Sequence, residues 1–545
     1  MITPLRLSGP EAIARDWCAD WIHRWPATQV LLLLAATETA AVEGISAAGA
    51  TGPSRRFTAA ADAELLLLGP RQPRPHALPP LPAGVSPALI SHVVVERLGL
   101  NALVVDLGCP VAPAVPHLRL AAPAAGGPAR CLSGGAALEP ARVDALLALG
   151  QAWAARQARL EPAAPLLVAE CVPGGTTTAL ALLSGLGVEA SGLVSGSLRH
   201  PVHALKADLV AKGLAAAGLL GRCPDAATLD QRAGWARKVA ACLGDPMQPL
   251  AAGLALGAAR HGLPLLLAGG SQMAAVLALA FALAPPALLP LLARWVGLAT
   301  TGWVAREPGS DLALLLRRIG ERWGVEPLAF AADLNFRGSV HPALADYERG
   351  YVKEGVGAGG LAVLWQLSGR RPEDLARACD SACRQLLAES RAGAGAQGAA
   401  GDAAPAGGVS RPGLEATGQP AHAAFLAAGQ PATGTQEAAG QAALGSAMAT
   451  GSAMATGSAM ATGTATATGT AAPTGTAVAG DLRAAGLVAE DSPAQSGVTA
   501  APLAQRGGAG ALLSQGSGAK APRQRGFGPE TARGATAAAS GPGGG

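Results

Sequence analysis

The sequence predicts an α/β fold in which a mainly parallel, doubly wound sheet with a smaller helical subdomain precedes a long disordered tail. Three observations point there. Short apolar runs end in glycine-rich or polar loops, those loops lead into Ala/Leu patterns of helical period, and the composition changes abruptly near residue 391. Continuous apolar strands that alternate with helices mark a parallel sheet covered on both faces. In such sheets ligands sit at the carboxyl ends of the strands.

Examples of the predicted strands are 30–35, 102–106, 165–169 and 263–268, and three loops leaving strands stand out. The first, Ala169-Glu170-Cys171-Val172-Pro173-Gly174-Gly175-Thr176-Thr177-Thr178, leads into a helix expected over 179–186. The second is Gly269-Gly270-Ser271-Gln272, ahead of a helix starting near Met273. The third, Lys353-Glu354-Gly355-Val356-Gly357-Ala358-Gly359-Gly360, precedes a helix expected over 361–367. Residues 262–293 carry no charge, but Gly269-Gly270-Ser271-Gln272 and Pro285-Pro286 cut them into pieces shorter than the ~20 residues of a spanning helix. A buried strand and two core helices fit better there.

From about residue 391 the chain is Ala, Gly, Thr, Pro and Ser with few large apolar side chains, too little to offset chain entropy by burial. Residues 1–390 are therefore expected to hold the fold, with the smaller subdomain drawn from their terminal segments. Residues 391–545 form the tail, with three GSAMAT copies at 445–462. These copies offer no packing residue beyond Met and read as a linker or appendage.

Lys and Arg number 41 against 37 Asp and Glu, and aromatics make up 3%, which is unlike a nucleic-acid surface. The eight cysteines are scattered without a CxxC pair, as expected of reduced thiols in a cytoplasm. Cys379 and Cys383 would share a helix face as half-buried thiols. The amino-terminal residues have no apolar core of signal-peptide length, and no membrane segment is expected.

A glycine-rich turn feeding a helix start presents backbone N–H groups at the positive end of the helix dipole and suits a phosphate. Gly174-Gly175-Thr176-Thr177-Thr178 meets that requirement without the Lys of a Walker loop; a plain left-handed turn with a Thr cap is the competing reading. Further on, Ser195-Gly196-Ser197-Leu198-Arg199-His200-Pro201 leads into a helix, with Pro201 suited to its first turn and Lys206 near its start. Alone, Lys206 reads as a surface charge; beside an anion site it reads as a phosphate ligand. His200 and His203 lack a third metal ligand at useful spacing. Glu170 and Glu354 sit in loops without an i±4 partner, and are either general bases raised by desolvation or loop braces.

Taken together these segments resemble the nicotinate-nucleotide:dimethylbenzimidazole phosphoribosyltransferases of cobalamin biosynthesis, especially their divergent archaeal and cyanobacterial-type relatives. VAECVPGGTTTALALL is similar to the family's GEMGIGNTT loop and helix, YVKEGVGAGG to its GEGTGA segment, and SLRHPVHALK to the segment with its phosphate-binding lysine. LVVDLGCPV and GDPMQPLAAGLALGAARHGLPLLLAGGSQMAAVLALA are supporting matches, and the likeness runs from about Gln29 to Leu386. Thr37-Glu38-Thr39 replaces the family's Asp-His-Gly, and Cys171-Val172-Pro173 its Met-Gly-Ile.

The resemblance implies a Rossmann-like domain that moves the 5-phosphoribosyl group of nicotinate mononucleotide to a benzimidazole-type base, giving an α-ribazole phosphate and nicotinate. Glu354 would be the base, and Glu170 would orient the ribose or stabilise its oxocarbenium-like charge. Gly174, Gly175, Thr176, Lys206, Gln272, Gly355 and Gly357 would hold the substrate and its phosphate. No metal or other cofactor is expected, because the donor's ring nitrogen is already cationic. The partners are then the two small molecules, with no nucleic acid and no membrane, and family members tend to form homodimers. A noncatalytic nucleotide-sensing module, or another nucleotide-handling enzyme on the same architecture, are the alternatives.

Overall fold

The computed structural model describes residues 3–222, 228–401 and 487–490. The chain divides into two units, Met1–Ser492 and Pro493–Gly545, and the described residues all belong to the first. Nine strands occur among them: β1 (Leu5–Ser8), β2 (Gln29–Leu34), β3 (Asn101–Asp106), β4 (His117–Leu120), β5 (Leu166–Cys171), β6 (Leu265–Ala268), β7 (Val296–Thr300), β8 (Leu328–Ala331) and β9 (Leu487–Glu490).

They form one sheet in the order β1-β8-β7-β6-β5-β2-β3-β4-β9. Neighbours from β8 through β4 run parallel, and only β1 and β9 are antiparallel. The chain builds outward from β2 to β3 and β4, returns to the other side of β2 with β5, and continues through β8. That reversal between β2 and β5 opens the crevice where ligands of doubly wound sheets sit.

Both faces of the sheet are dry, which is why the central strands read as unbroken apolar runs. Alternate side chains feed two cores: Leu31, Leu33, Leu166, Val168, Leu265 and Leu267 enter one. Val30, Leu32, Leu34, Leu167, Ala169 and Leu266 enter the other. The α/β class and parallel topology expected from the sequence are those of the molecule. β2, β3, β5 and β6 begin or end within two residues of the predicted runs.

Residues 262–293 become β6, a helix at Ser271–Leu283 and a short one at Leu289–Trp295. No helix among the described residues is long and apolar enough to cross a membrane. Two details differ from expectation. Cys379 and Cys383, expected half-buried, are both 0% exposed, because the helix Pro372–Gly401 packs against the helix Ala88–Leu98. Pro201 lies ahead of the helix His203–Ala216 rather than in its first turn.

Within the segment expected to be tail, that helix from Pro372 continues to Gly401 and β9 pairs along β4, Leu487 opposite Leu120 and Glu490 opposite His117. The GSAMAT copies at 445–462 lie outside the described residues.

Candidate functional site

At the carboxyl ends of β5, β6 and β7 lies a cavity of about 270 Å³, lined among others by Glu170, Gly174, Gly175, Thr176, Gln272 and Glu354. The helix Gly175–Gly185 starts four residues before its predicted beginning, so the threonine run forms its first turn. Gly174 at its N-cap has φ +80°, a conformation that favours glycine. A side chain on Gly175 would overlap the Gln272 amide, so only glycine lets Gln272 reach past it. The helix Ser271–Leu283 opens onto the same cavity through Gly270, Ser271 and Gln272. Two helix N-termini converge on this space, an arrangement that suits an anion; among the described residues no three His, Cys, Asp or Glu side chains group to hold a metal ion.

Lys206 is not in the cavity wall but stands directly behind it. It is 1% exposed and its Nζ donates to the Ser195 carbonyl at 2.7 Å. A Cβ on Gly196, a wall residue, would lie 3.2 Å from that Nζ. Burial pushes the Lys206 ammonium down to about 8, with Lys353 adding to the fall and Glu307 opposing it.

Glu170 and Glu354 meet at this cavity. Glu354 Oε2 accepts from the Thr300 hydroxyl at 2.9 Å and the Thr301 amide at 2.8 Å. Its Oε1 accepts from the Gly355 and Gly359 amides at 3.2 and 3.0 Å. Desolvation nevertheless raises its pKa, the four donors pulling the other way. Glu170 has fewer bonds, from the Val172 amide at 3.1 Å and the Gln272 side chain. Burial, then the nearby Glu354 and Asp245, push it up to about 8, so its carboxyl is mostly protonated at neutral pH.

Gly355 lines the cavity, whereas Gly357 packs beneath it, where a Cβ would meet the Ala169 Cβ at 2.6 Å. Sequence reasoning assigned no role to four groups. Lys353 Nζ donates to the Leu198 carbonyl at 2.6 Å and the Gly350 carbonyl at 2.8 Å, and pairs with Glu307 at 3.0 Å. Asp245, buried behind the threonine run, accepts from the Thr178 hydroxyl at 2.5 Å. Asp62 is the fourth, and its one signal was a charge inside the apolar helix Thr58–Leu68.

Fold and site together define an α/β protein with a parallel sheet, whose pocket pairs an anion-attracting end with two interacting carboxyl groups. The chain belongs to the UPF0284 family. It is 49% identical over 386 residues to a UPF0284 protein of Prochlorococcus marinus (strain MIT 9313), covering 70% of this chain and 91% of that one. A UPF0284 protein of Parasynechococcus marenigrum (strain WH8102) is 50% identical over 373 residues, 68% of this chain and 90% of the relative. Among solved structures the chain is similar to CobT from Thermus thermophilus, at 22% identity and a TM-score of 0.41, covering 68% of this chain and 92% of that one. No protein-family model matches the chain.

Proposed function

We propose that this protein is a phosphoribosyltransferase that moves the 5-phosphoribosyl group of nicotinate mononucleotide to a benzimidazole-type base. The observation that carries the reading is the meeting of Glu170, buried, and Glu354, half-buried, in a cavity that also opens on two helix N-termini. The donor and acceptor come from the sequence resemblance in those same loops.

The chemistry follows from charge. The donor's ring nitrogen is cationic, so nicotinate leaves with the electrons of its glycosidic bond and needs no proton. A ring nitrogen of the incoming base attacks the anomeric carbon from the opposite face, and the other ring nitrogen sheds its proton to Glu354. The Thr300 hydroxyl is the one donor on Glu354 that can rotate away to free a lone pair. Glu170 orients the ribose by hydrogen bonding and lies beside the oxocarbenium-like charge as it develops. Gly174, Gly175, Thr176, Gln272 and Gly355 surround the donor, while Lys206 balances the phosphate from behind Gly196 and fixes the ribose for in-line displacement.

A second reading, a noncatalytic nucleotide-binding module, is favoured by the four donors that already occupy Glu354. Incubation with nicotinate mononucleotide and benzimidazole, with products identified by mass, separates the two. The transferase releases nicotinate and a base–ribose phosphate in equal amounts, and Glu354→Gln slows this by about 10²–10⁴-fold. Binding of the mononucleotide without turnover would establish the module instead, and unchanged turnover in Glu354→Gln would remove Glu354 as the base.

A further inference from the structure

The cavity wall also carries a set of apolar side chains, Leu78, Leu81, Val85, Pro87, Val356 and Leu386. Such walls suit a flat aromatic ring. One carboxyl group interrupts them. Asp62 lines the cavity one helical turn after Thr58, which lines it too, and it is 5% exposed.

The bonding of Asp62 differs from that of its buried neighbours. Glu64, on the same helix, accepts from the His76 and Ala114 amides at 2.9 Å each and meets the His76 ring at 2.6 Å. Asp106 receives the Gly108 and Cys109 amides and pairs with Arg119. Asp62 has neither amide nor cation among the described residues. It accepts from the Ser86 hydroxyl at 2.6 Å and from the Cys171 thiol at 3.4 Å, a weak donor. Cys171 follows Glu170 on β5, so strand alternation turns the two to opposite faces and brings Asp62 to the end of the strand whose other face carries Glu170.

A carboxylate offers about four acceptor positions, so Asp62 retains capacity for a donor that none of the described residues supplies. Burying it against a methyl group would leave that capacity unmet at a cost. Burial already raises its pKa to about 6, leaving it charged at neutral pH in an apolar surround.

We infer that Asp62 selects the acceptor, and that the cavity takes against these apolar side chains a flat nitrogenous ring with a hydrogen-bond donor on its edge, an amino or hydroxyl substituent, in preference to a methyl-edged ring. This rests on the transfer reading for the identity of the site, but the selectivity of binding stands apart from turnover. Ser86 and Cys171 hold the carboxylate in place, and the ring's edge donor completes its bonding.

The test compares 5-hydroxybenzimidazole with 5,6-dimethylbenzimidazole on the full chain, by calorimetric binding and by initial rates with nicotinate mononucleotide. The wild type is expected to favour the hydroxyl-bearing ring by at least about tenfold in both. Asp62→Asn, which keeps a neutral acceptor, should narrow the ratio, and Asp62→Leu should reverse it. Binding of nicotinate mononucleotide, measured separately, should stay within about twofold and report an intact donor site. Should a variant fail to fold, the wild-type ratio still decides.

Equal binding of the two rings, binding of neither, or a preference that survives in Asp62→Leu overturns the inference. Turnover confined to the dimethyl ring overturns it as well, while leaving the transfer reading standing. A tenfold binding preference lost in Asp62→Leu, with no turnover of either ring, supports the Asp62 assignment and removes the transfer reading.

Discussion

Glu170 concentrates the electrostatics of the site. Its folded pKa of about 8 lies above the ordinary 4.5, so the folded state binds the more protons between those values. The stability this contributes is fully present below about 4.5 and is lost as the pH rises through about 8. Asp62 and Asp245, both near 6, act with the same sign over a lower window. The melting temperature is therefore expected to fall from pH 6 to 8, and Glu170→Gln should flatten that slope; thermal scans across the range check it.

Lys206 carries the opposite burden, a cation held down near 8 by burial. Lys206→Met is expected to weaken nicotinate mononucleotide binding by about tenfold, since a buried cation behind the wall acts on the phosphate with little screening. It should also lower the melting temperature, because the Ser195 carbonyl and the buried Glu307 lose a partner. Calorimetry and a thermal scan together measure this. At this scale the residues that follow strands are the readable ones. Glu170, Gly174 and Glu354 are legible as carboxylates and glycines in loops, whereas the burial of Lys353 and Glu307 arises where distant segments meet and leaves no local trace.

The segment before the helix Ala358–Leu367 shows how one element sets the geometry of the site. Val352, Lys353 and Val356 have φ of +63°, +54° and +52°, left-handed conformations that cost non-glycine residues about 1–3 kcal/mol each. Lys353 helps hold them by tying Gly350 to Leu198 and Glu307. Lys353→Met should let the loop relax and lower kcat by about tenfold or more while the helices stay folded, which steady-state kinetics beside circular dichroism would show. Gly359 allows the helix to close onto β7, since a Cβ there would overlap the Thr300 and Thr301 backbone and the Glu354 carboxylate. Gly359→Ala is expected to destabilise the fold by about 1–3 kcal/mol, read by denaturant unfolding.

Elements were legible where an apolar run is punctuated by turn residues, as at β6, which a glycine-rich loop follows. The six-residue strands β2, β3 and β5 read directly as apolar runs bounded by turns. The four- and five-residue strands β1, β4, β7 and β8 did not, and β7 follows the helix Leu289–Trp295 with no intervening residue. The helices at Gly175 and Ala358 start earlier than the sequence predicts because glycine and threonine, poor helix formers, occupy their first turns.

Across the whole molecule, the strand order accounts for the position of the cavity. Its reversal between β2 and β5 leaves the carboxyl ends of β5, β6 and β7 open to the loops that carry Glu170, Gln272 and Glu354. That parallel order could be anticipated from alternating strands and helices, but which strand neighbours which is settled by long-range packing that single runs do not encode. The antiparallel edges β1 and β9 were not anticipated. We propose that the chain up to Gly401 contains the whole catalytic unit. A chain ending there should keep kcat and KM within about twofold while exposing the edge of β4 that β9 covers; loss of activity would give the tail a catalytic part.

The in-line transfer at the centre of this account is tested most directly by the configuration at the anomeric carbon of the product, read by proton NMR after incubation with nicotinate mononucleotide and a benzimidazole. Attack opposite the departing nicotinate inverts the β-linked donor and gives an α-linked ribose phosphate. A β-linked product, or no release of nicotinate at all, would contradict it.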